Sequence, residues 1–409
     1  MAQVADDEFA DALDNLAVED VQELQDKNPE PDAHGQGGYR FDTPEHQQQL
    51  KEQRAQLWSW LKRVGSHMFK EGINLTKISL PVCLFEPRSF LERLTTNWEY
   101  NSLLVAAANC TTDPVERLRY VVAFAVSGLC RQVSFHKPFN PILGETYQAV
   151  YPNGLQVYCE QISHHPPISS WEVYEPSGKF VFYGNGNWVA GIKGNSVKGR
   201  QTGSNCIRFE SDGATVEYDL PGLQVKGVLW GVRVLKYGGQ MVFKDKKNGL
   251  TAVVDVDPPP QASSWSGWLR GKKPQHKPDQ VVGKLLRGEE VLDTCQGNWL
   301  SHLDWERPAG QSGAVDTPGS TTSSSSGNSN GGAPAAARGG ARRFWDIRSC
   351  PLAPAVPLSG PLPSDCRHRE DVVALKEGDQ VRAQDWKHTL EERQRRDRKL
   401  RKEGGGYEH

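Results

Sequence analysis

The stretch EQISHHPPISS, residues 160–170, places His164 and His165 side by side and follows them with Pro166 and Pro167. The chain holds only 11 histidines, so an adjacent pair invites a chemical reading. Three chemistries are open: ligation of a metal, base catalysis beside a nucleophile, or hydrogen bonding to an oxyanion. On a strand, neighbouring side chains point to opposite faces, which is poor geometry for two ligands on one ion. No third Cys, Asp or Glu ligand stands nearby at a metal-like spacing, so no metal is expected. Ser163 adjoins His164, yet there is no GxSxG elbow and no Gly-rich oxyanion run, which argues against a hydrolase. The prolines end the strand, fix φ and turn the backbone so that both imidazoles reach a rim. Phosphate binding suits that arrangement, set against the plainer reading of a strand end with surface histidines.

The elements around the pair follow from periodicity. DTPEHQQQLKEQRAQLWSWLKRVGSHMFKEG predicts a helix capped by Thr43, with Pro44 in its first turn and Gly72 as a stop. Leu50, Leu57, Leu61, Val64 and Met68 fall on one face, widened by Trp58, Trp60 and Phe69. Lys51, Arg54, Lys62, Arg63 and Lys70 add basic charge, so the helix could pack on the domain or also touch membrane. From about 84 to 130 the pattern stays helical. The period then changes: LQVYCEQI, KFVFYG, ATVEYDL, LQVKGVLWGV, MVF and LTAVVDV are short, β-rich and broken by Gly, Asn and Pro. They predict an antiparallel region of hairpins, large enough for a barrel or sandwich that encloses something.

Composition bounds the rest. A chain of 409 residues with 37% hydrophobic content supports one large domain with appendages or two ordinary ones. A formal charge of -2 gives no global pull toward nucleic acid, and no nucleic-acid partner is expected. Eight scattered cysteines without a CxxC pair point to reduced thiols in the cytosol. The polar, acidic N-terminus is no signal peptide, and no stretch approaches the roughly 18 apolar residues of a membrane span. Residues 1–42 are rich in Asp and Glu against Lys27 and Arg40 alone, which predicts a disordered tail. Residues 308–341 are low-complexity Gly, Ser and Ala and read as a flexible insertion. A long charged helix is predicted from about 383 to 402, polar enough to be a solvated face.

Several longer segments now bear on the histidine pair. EQISHHPPIS closely resembles the EQVSHHPP fingerprint of the oxysterol-binding-protein-related family, with Ile162 for Val. KPFNPILGETY (137–147) is similar to the second hallmark of that family. NLTKISLPVCLFEPRSFLERLTTNWEY resembles its opening segment, and LPSDCRHREDVVALKEGD with WKHTLEERQRRDR its closing one. The resemblance spans roughly 57–307 and 361–402 in the family order. It implies a mainly β fold with helices (α+β), a large near-closed antiparallel β-barrel around a lipid tunnel. An N-terminal lid at about 57–80 and flanking helices would cover it, within a domain spanning 43–402.

The resemblance also implies a site. Lys137, Asn140 and Glu145 lie in the 137–147 motif, whose Lys and Asn hold the inositol-phosphate head in the family. His164 and His165 match the pair that contacts the 4-phosphate of phosphatidylinositol 4-phosphate. Lys387, Glu391 and Arg395 match an i, i+4, i+8 triplet on the closing helix. Independently of the family, that spacing drifts only about 40° per step, so the three share a face. The two cations can then donate to phosphate while Glu391 orients them, where otherwise they form surface i, i+4 pairs.

The implied function is non-enzymatic and needs no cofactor: exchange of phosphatidylinositol 4-phosphate for a second lipid, with sterol favoured by the opening segment. A sensor that binds without transfer would share every motif. Two departures stand out. RFWDIRSCPLAPAVPLSG, after the insertion, barely resembles the aromatic-rich segment the family carries there. The chain also leaves no room for the pleckstrin-homology domain or ankyrin repeats of longer relatives, so peripheral membrane targeting falls to the domain, the tail or partners. In that tail, DDEFADALD (6–14) resembles an acidic-tract motif with core EFFDAxE, which docks to VAP-type adaptors on the endoplasmic reticulum. Glu8, Phe9, Asp11, Ala12 and Asp14 match it, and Ala10 replaces the second aromatic.

Overall fold

The Thr43 hydroxyl accepts from the His46 amide at 3.3 Å and opens helix α1 (Pro44–Val64), as the sequence predicts. The structure, a computed structural model, describes residues 37–64, 73–74, 79–164, 166–259, 277–307 and 340–404. The acidic tail to residue 36, most of the expected lid beyond Val64, His165 and nearly all of the low-complexity insertion lie outside the described residues.

Strand β1 (Tyr39–Phe41) precedes α1, and β2 (Ile73–Asn74) follows it. Next come β3 (Phe85–Ser89), α2 (Phe90–Leu94), α3 (Ser102–Asn109), α4 (Pro114–Arg131) and β4 (Lys137–Phe139). The first hairpins are β5 (Thr146–Val150), β6 (Gln156–His164), β7 (Pro167–Tyr174), β8 (Phe180–Lys193) and β9 (Ser196–Thr202). Beyond them run β10 (Asn205–Phe209), β11 (Thr215–Tyr218), β12 (Gly222–Lys226), β13 (Arg233–Asp245) and β14 (Leu250–Val256). The series ends with β15 (Gln280–Arg287), β16 (Glu290–Asn298), β17 (His302–Glu306), β18 (Arg342–Asp346) and β19 (Val356–Pro357). Helices α5 (Glu370–Lys376) and α6 (Gln380–Glu403) close the described chain.

Among the described residues, 17 strands form one antiparallel sheet, and β3 and β4 pair in parallel apart from it. The sheet runs from β19 through β5, β6 and β7 to the long β8, and from the long β13 through β14 to β18. Between the two long strands it divides, with β9 and β12 bridging one half and β10 and β11 the other. The result is a near-closed antiparallel ring. The segment after the insertion completes it despite its departure from the family pattern. Trp345 is fully buried 5.6 Å from the Tyr100 ring, and Val356 pairs with Val150.

Helix α4 fills one part of the ring. Asp113 caps it, accepting from the amides of Val115 at 3.0 Å and Glu116 at 2.9 Å, and Pro114 stands at its first turn. Leu118, Val121, Val122 and Leu129 pack in one core with Leu250, Ala252 and Val254 of β14. Buried Arg117 donates to Asp212 at 2.8 and 3.0 Å, and Arg119 to Asp293 at 2.9 Å. A second, smaller core joins Leu57 and Trp60 of α1, Phe85, Phe139, Val372 and Ala383. It brings α1, the β3–β4 pair and the two C-terminal helices to one end of the ring. The eight cysteines are free thiols.

Three expectations change. The end of the stretch 1–42, expected to be a disordered tail, forms β1, where Tyr39, Arg40 and Phe41 pair with Leu235, Val234 and Arg233 of β13, and Phe41 is buried. Residues 85–89 are extended, not helical, because Pro87 has no amide hydrogen and Ser89 caps α2, accepting from the Leu91 amide at 3.4 Å. The predicted strand 223–232 stops at Lys226. Gly227 takes φ 69°, and a Cβ there would lie 2.0 Å from the Val232 carbonyl oxygen, so the chain turns.

Candidate functional site

Beside the second core lie two adjoining cavities. The first, about 900 Å³, is lined by charged and polar groups including Lys137, Asn140, His164, Lys387, Glu391 and Arg395. The second, about 400 Å³, is lined mainly by apolar groups such as Leu57, Trp60, Leu84, Ile192, Leu223 and Leu235. Leu80, Lys137, Asn140, His164, Pro167 and Trp188 line both, so a basic mouth opens on an apolar tunnel.

Local structure explains each placement. His164 ends β6 and pairs with Pro167 at the start of β7, so it stands at the end of a hairpin. The Gln394 amide nitrogen lies 3.4 Å from His164 Nδ1, joining that turn to α6. The Lys137 ammonium donates to Asn140 Oδ1 at 2.9 Å and sits 4.0 Å from the Phe85 ring centre. On α6, Lys387 Nζ donates to Glu391 Oε1 at 2.6 Å and to Ser79 Oγ at 2.7 Å. Arg395 lies 3.8 Å from the other Glu391 oxygen and is mostly exposed. Six of the eight expected residues thus surround one cavity. Among the described residues, no group of three His, Cys, Asp or Glu side chains is placed to hold a metal.

Glu145 does something different. It is buried away from both cavities and accepts from Ser89 Oγ, from Arg369 Nη1 at 2.9 Å and from the Ile142 amide at 3.0 Å. Burial raises its carboxyl above the ordinary carboxylate range, and the Arg369 charge opposes that shift. Arg369 also donates to Asp371 at 2.7 Å and to the Asn140 carbonyl at 2.7 Å. This buried network holds the 137–145 loop from beneath, so Glu145 reaches the cavity only through the loop that carries Lys137 and Asn140.

Sequence reasoning missed Arg369, Gln394, Arg398 and Arg401, all of which line the mouth. A signal for three of them was present. Positions 387, 391, 394, 398 and 401 alternate steps of four and three, the spacing of a single helical stripe. Arg369 carries no comparable signal, because its partner Glu145 stands 224 residues away.

An antiparallel ring around an apolar tunnel with a basic mouth is a lipid-binding domain. The chain belongs to the oxysterol-binding protein family, whose family model matches residues 56–409. It is 34% identical to oxysterol-binding protein 9 of Dictyostelium discoideum over 397 residues, covering 92% of this chain and 82% of that one. It is 29% identical to the human oxysterol-binding protein-related protein 8, covering 70% of this chain and 31% of that longer protein. Among solved structures, the Osh1 ORD domain in complex with ergosterol superposes with a TM-score of 0.65 at 27% identity. That match covers 82% of this chain and 78% of the other. The Osh3 ORD of Saccharomyces cerevisiae, solved with PI(4)P, shares the fold with a TM-score of 0.58 at 20% identity, covering 81% and 82%. No described helix is long and apolar enough to cross a membrane.

Proposed function

We propose that this domain exchanges phosphatidylinositol 4-phosphate for a second lipid, a sterol, between cytosolic membrane faces. The observation that carries the reading is the wall shared by the basic mouth and the apolar tunnel. A headgroup can be held by Lys137, Asn140, His164, His165, Lys387 and Arg395 while its tail leaves water next door. Glu391 and Glu145 hold the cations and the loop in place. Withdrawing a lipid costs about 0.8 kcal/mol per CH₂, which only burial in a tunnel offsets. Crystal structures of the similar Osh1 domain with ergosterol and with cholesterol support sterol as the second lipid. The cycle makes and breaks no covalent bond. Liposome-to-liposome transfer of a fluorescent sterol, accelerated by phosphoinositide in the acceptor vesicles, is the expected result. Binding of both lipids without transfer would instead identify a sensor.

The mouth should respond to pH. Lys137 falls from its ordinary 10.5 to about 7, first through burial and then through the neighbouring Lys387 charge, with Glu391 opposing. By surface area it is only half-buried, because the ammonium opens onto the cavity; lost bulk solvent is still the larger cause. Between pH 7 and 10.5 the unfolded chain holds this proton more tightly than the folded one, so Lys137 contributes stability that grows as pH rises through that window. A bound phosphate favours the ammonium, so binding above pH 7 takes up a proton. Headgroup affinity should weaken by up to about tenfold per unit from pH 7 to 9. Lys137→Arg, charged throughout, should flatten the profile; equal slopes in the two proteins would remove the idea.

The tail supplies the membrane address in this reading, through Glu8, Phe9, Asp11, Ala12 and Asp14. Its acidic flank would steer it to a basic groove on a VAP-type adaptor, with Phe9 and Ala12 filling pockets. Weak, salt-sensitive binding is expected, lost with Phe9→Ala and strengthened by Ala10→Phe. A low-salt titration in which wild type and Phe9→Ala behave alike would remove the adaptor from the scheme.

A further inference from the structure

Five arginines are buried among the described residues: Arg93, Arg117, Arg119, Arg233 and Arg369. Four have carboxylate partners. Arg93 meets Glu86, Arg117 meets Asp212 and Asp245, Arg119 meets Asp293 and Glu116, and Arg369 meets Glu145 and Asp371. Arg233 is the exception. It opens β13, is 6% exposed and lines the apolar tunnel but not the basic mouth. Its Nη1 donates to Gln53 Oε1 at 2.8 Å and to the Phe135 carbonyl at 3.3 Å, and its guanidinium lies 5.0 Å from the Phe135 ring centre. Its Nε is buried without a hydrogen-bond partner.

Among the described residues, no carboxylate neutralises it. Burial pulls Arg233 down to about 10, and the charge of Arg54 acts in the same direction. Arg54 itself is occupied by the carbonyls of Gly227 at 2.7 Å and Gly231 at 2.6 Å. His136, also in the tunnel wall, is held at about 4 by burial, then by Arg233 and His46, so it is neutral near pH 7. A buried cation with neutral acceptors alone is costly unless something supplies the missing charge. Gln53 and the Phe135 carbonyl hold Nη1 in place while Nε is left without a partner.

We propose that the tunnel takes a lipid bearing a carboxylate at its buried end, and that Arg233 is the counter-ion for that carboxylate. This rests on the reading that a lipid fills the apolar tunnel, and it adds a fatty-acid-like class to the cargo. A guanidinium suits the role because its planar fork matches two carboxylate oxygens.

The test uses the full chain with cis-parinaric acid, a fluorescent fatty acid, and its uncharged methyl ester. The wild type should bind the acid more tightly than the ester. Arg233→Met should weaken the acid by about tenfold to a hundredfold, the worth of charge-assisted hydrogen bonds, and leave the ester within about twofold. Arg233→Lys should recover part of the loss. Arg233→Met should also melt no lower than wild type, because it removes an uncompensated buried charge. Unchanged acid binding in Arg233→Met overturns the proposal. So does equal loss of acid and ester with a lowered melting temperature, which would make Arg233 a brace for α1. A wild type that transfers sterol but binds neither probe overturns the carboxylate inference and leaves exchange standing; one that does neither removes both.

Discussion

The double variant His164→Ala, His165→Ala loses extraction of phosphatidylinositol 4-phosphate from liposomes and keeps its fold. Each imidazole lost removes a hydrogen bond to a charged group, worth about 1.5–3 kcal/mol, so the pair amounts to a hundredfold or more in affinity. The fold tolerates the change because His164 is half-buried at a hairpin end, where its ring meets Gln394 at the cavity wall. Sterol binding should fall much less, since His164 is one wall residue of the apolar tunnel among many that are aliphatic. The measurement is extraction by flotation alongside the far-ultraviolet spectrum and melting temperature of the same protein. Normal extraction by a folded double variant would place the phosphate elsewhere and dissolve the site assignment.

Arg369→Met has the second large effect, and it acts on stability first. Glu145 and Asp371 are almost fully enclosed, and Arg369 is the cation both carboxylates share. Removing one member of a buried ion cluster leaves uncompensated charge and costs about 3–5 kcal/mol. The variant should unfold at markedly lower urea. Whatever stays folded should bind the phosphoinositide poorly, because the Asn140 carbonyl loses its 2.7 Å tie to Arg369. Glu145→Gln keeps the shape and one acceptor, so it should cost less. A denaturation midpoint in Arg369→Met equal to that of wild type would show that the network does not hold the loop.

Much of the site was legible in the sequence because its chemistry is written in short, local patterns. Thr43 announces a helix start through its side-chain oxygen, which caps the His46 amide. The i, i+4, i+8 spacing of Lys387, Glu391 and Arg395 puts them on one stripe whatever the rest of the chain does. The alternation of β14, with Leu250, Ala252, Val254 and Val256 inward, needs only the pleat. Extended residues 85–89 and the turn at 227–232 were missed although Pro87, Ser89 and Gly227 are local signals for them. What completes each is long-range: β4 for one, and for the other the Asn195 side chain, whose Oδ1 accepts from the Leu229 amide at 2.7 Å.

The motif KPFNPILGE shows where the division falls. By itself it determined that a lysine, an asparagine and a glutamate stand within nine residues of one another; that they belong beside the histidine pair was what the family resemblance implied. Which of the three would face the cavity was decided only by the tertiary structure. Lys137 and Asn140 line the mouth, while Glu145 turns inward to Arg369, brought from 224 residues away by α5 and the segment before it. The physical reason is charge burial. A carboxylate within a folded core must find a cation, and the identity of that cation is a long-range fact that no local spacing records. Arg233 is the converse case, a buried cation that meets no carboxylate among the described residues, visible only once the five buried arginines are seen in place.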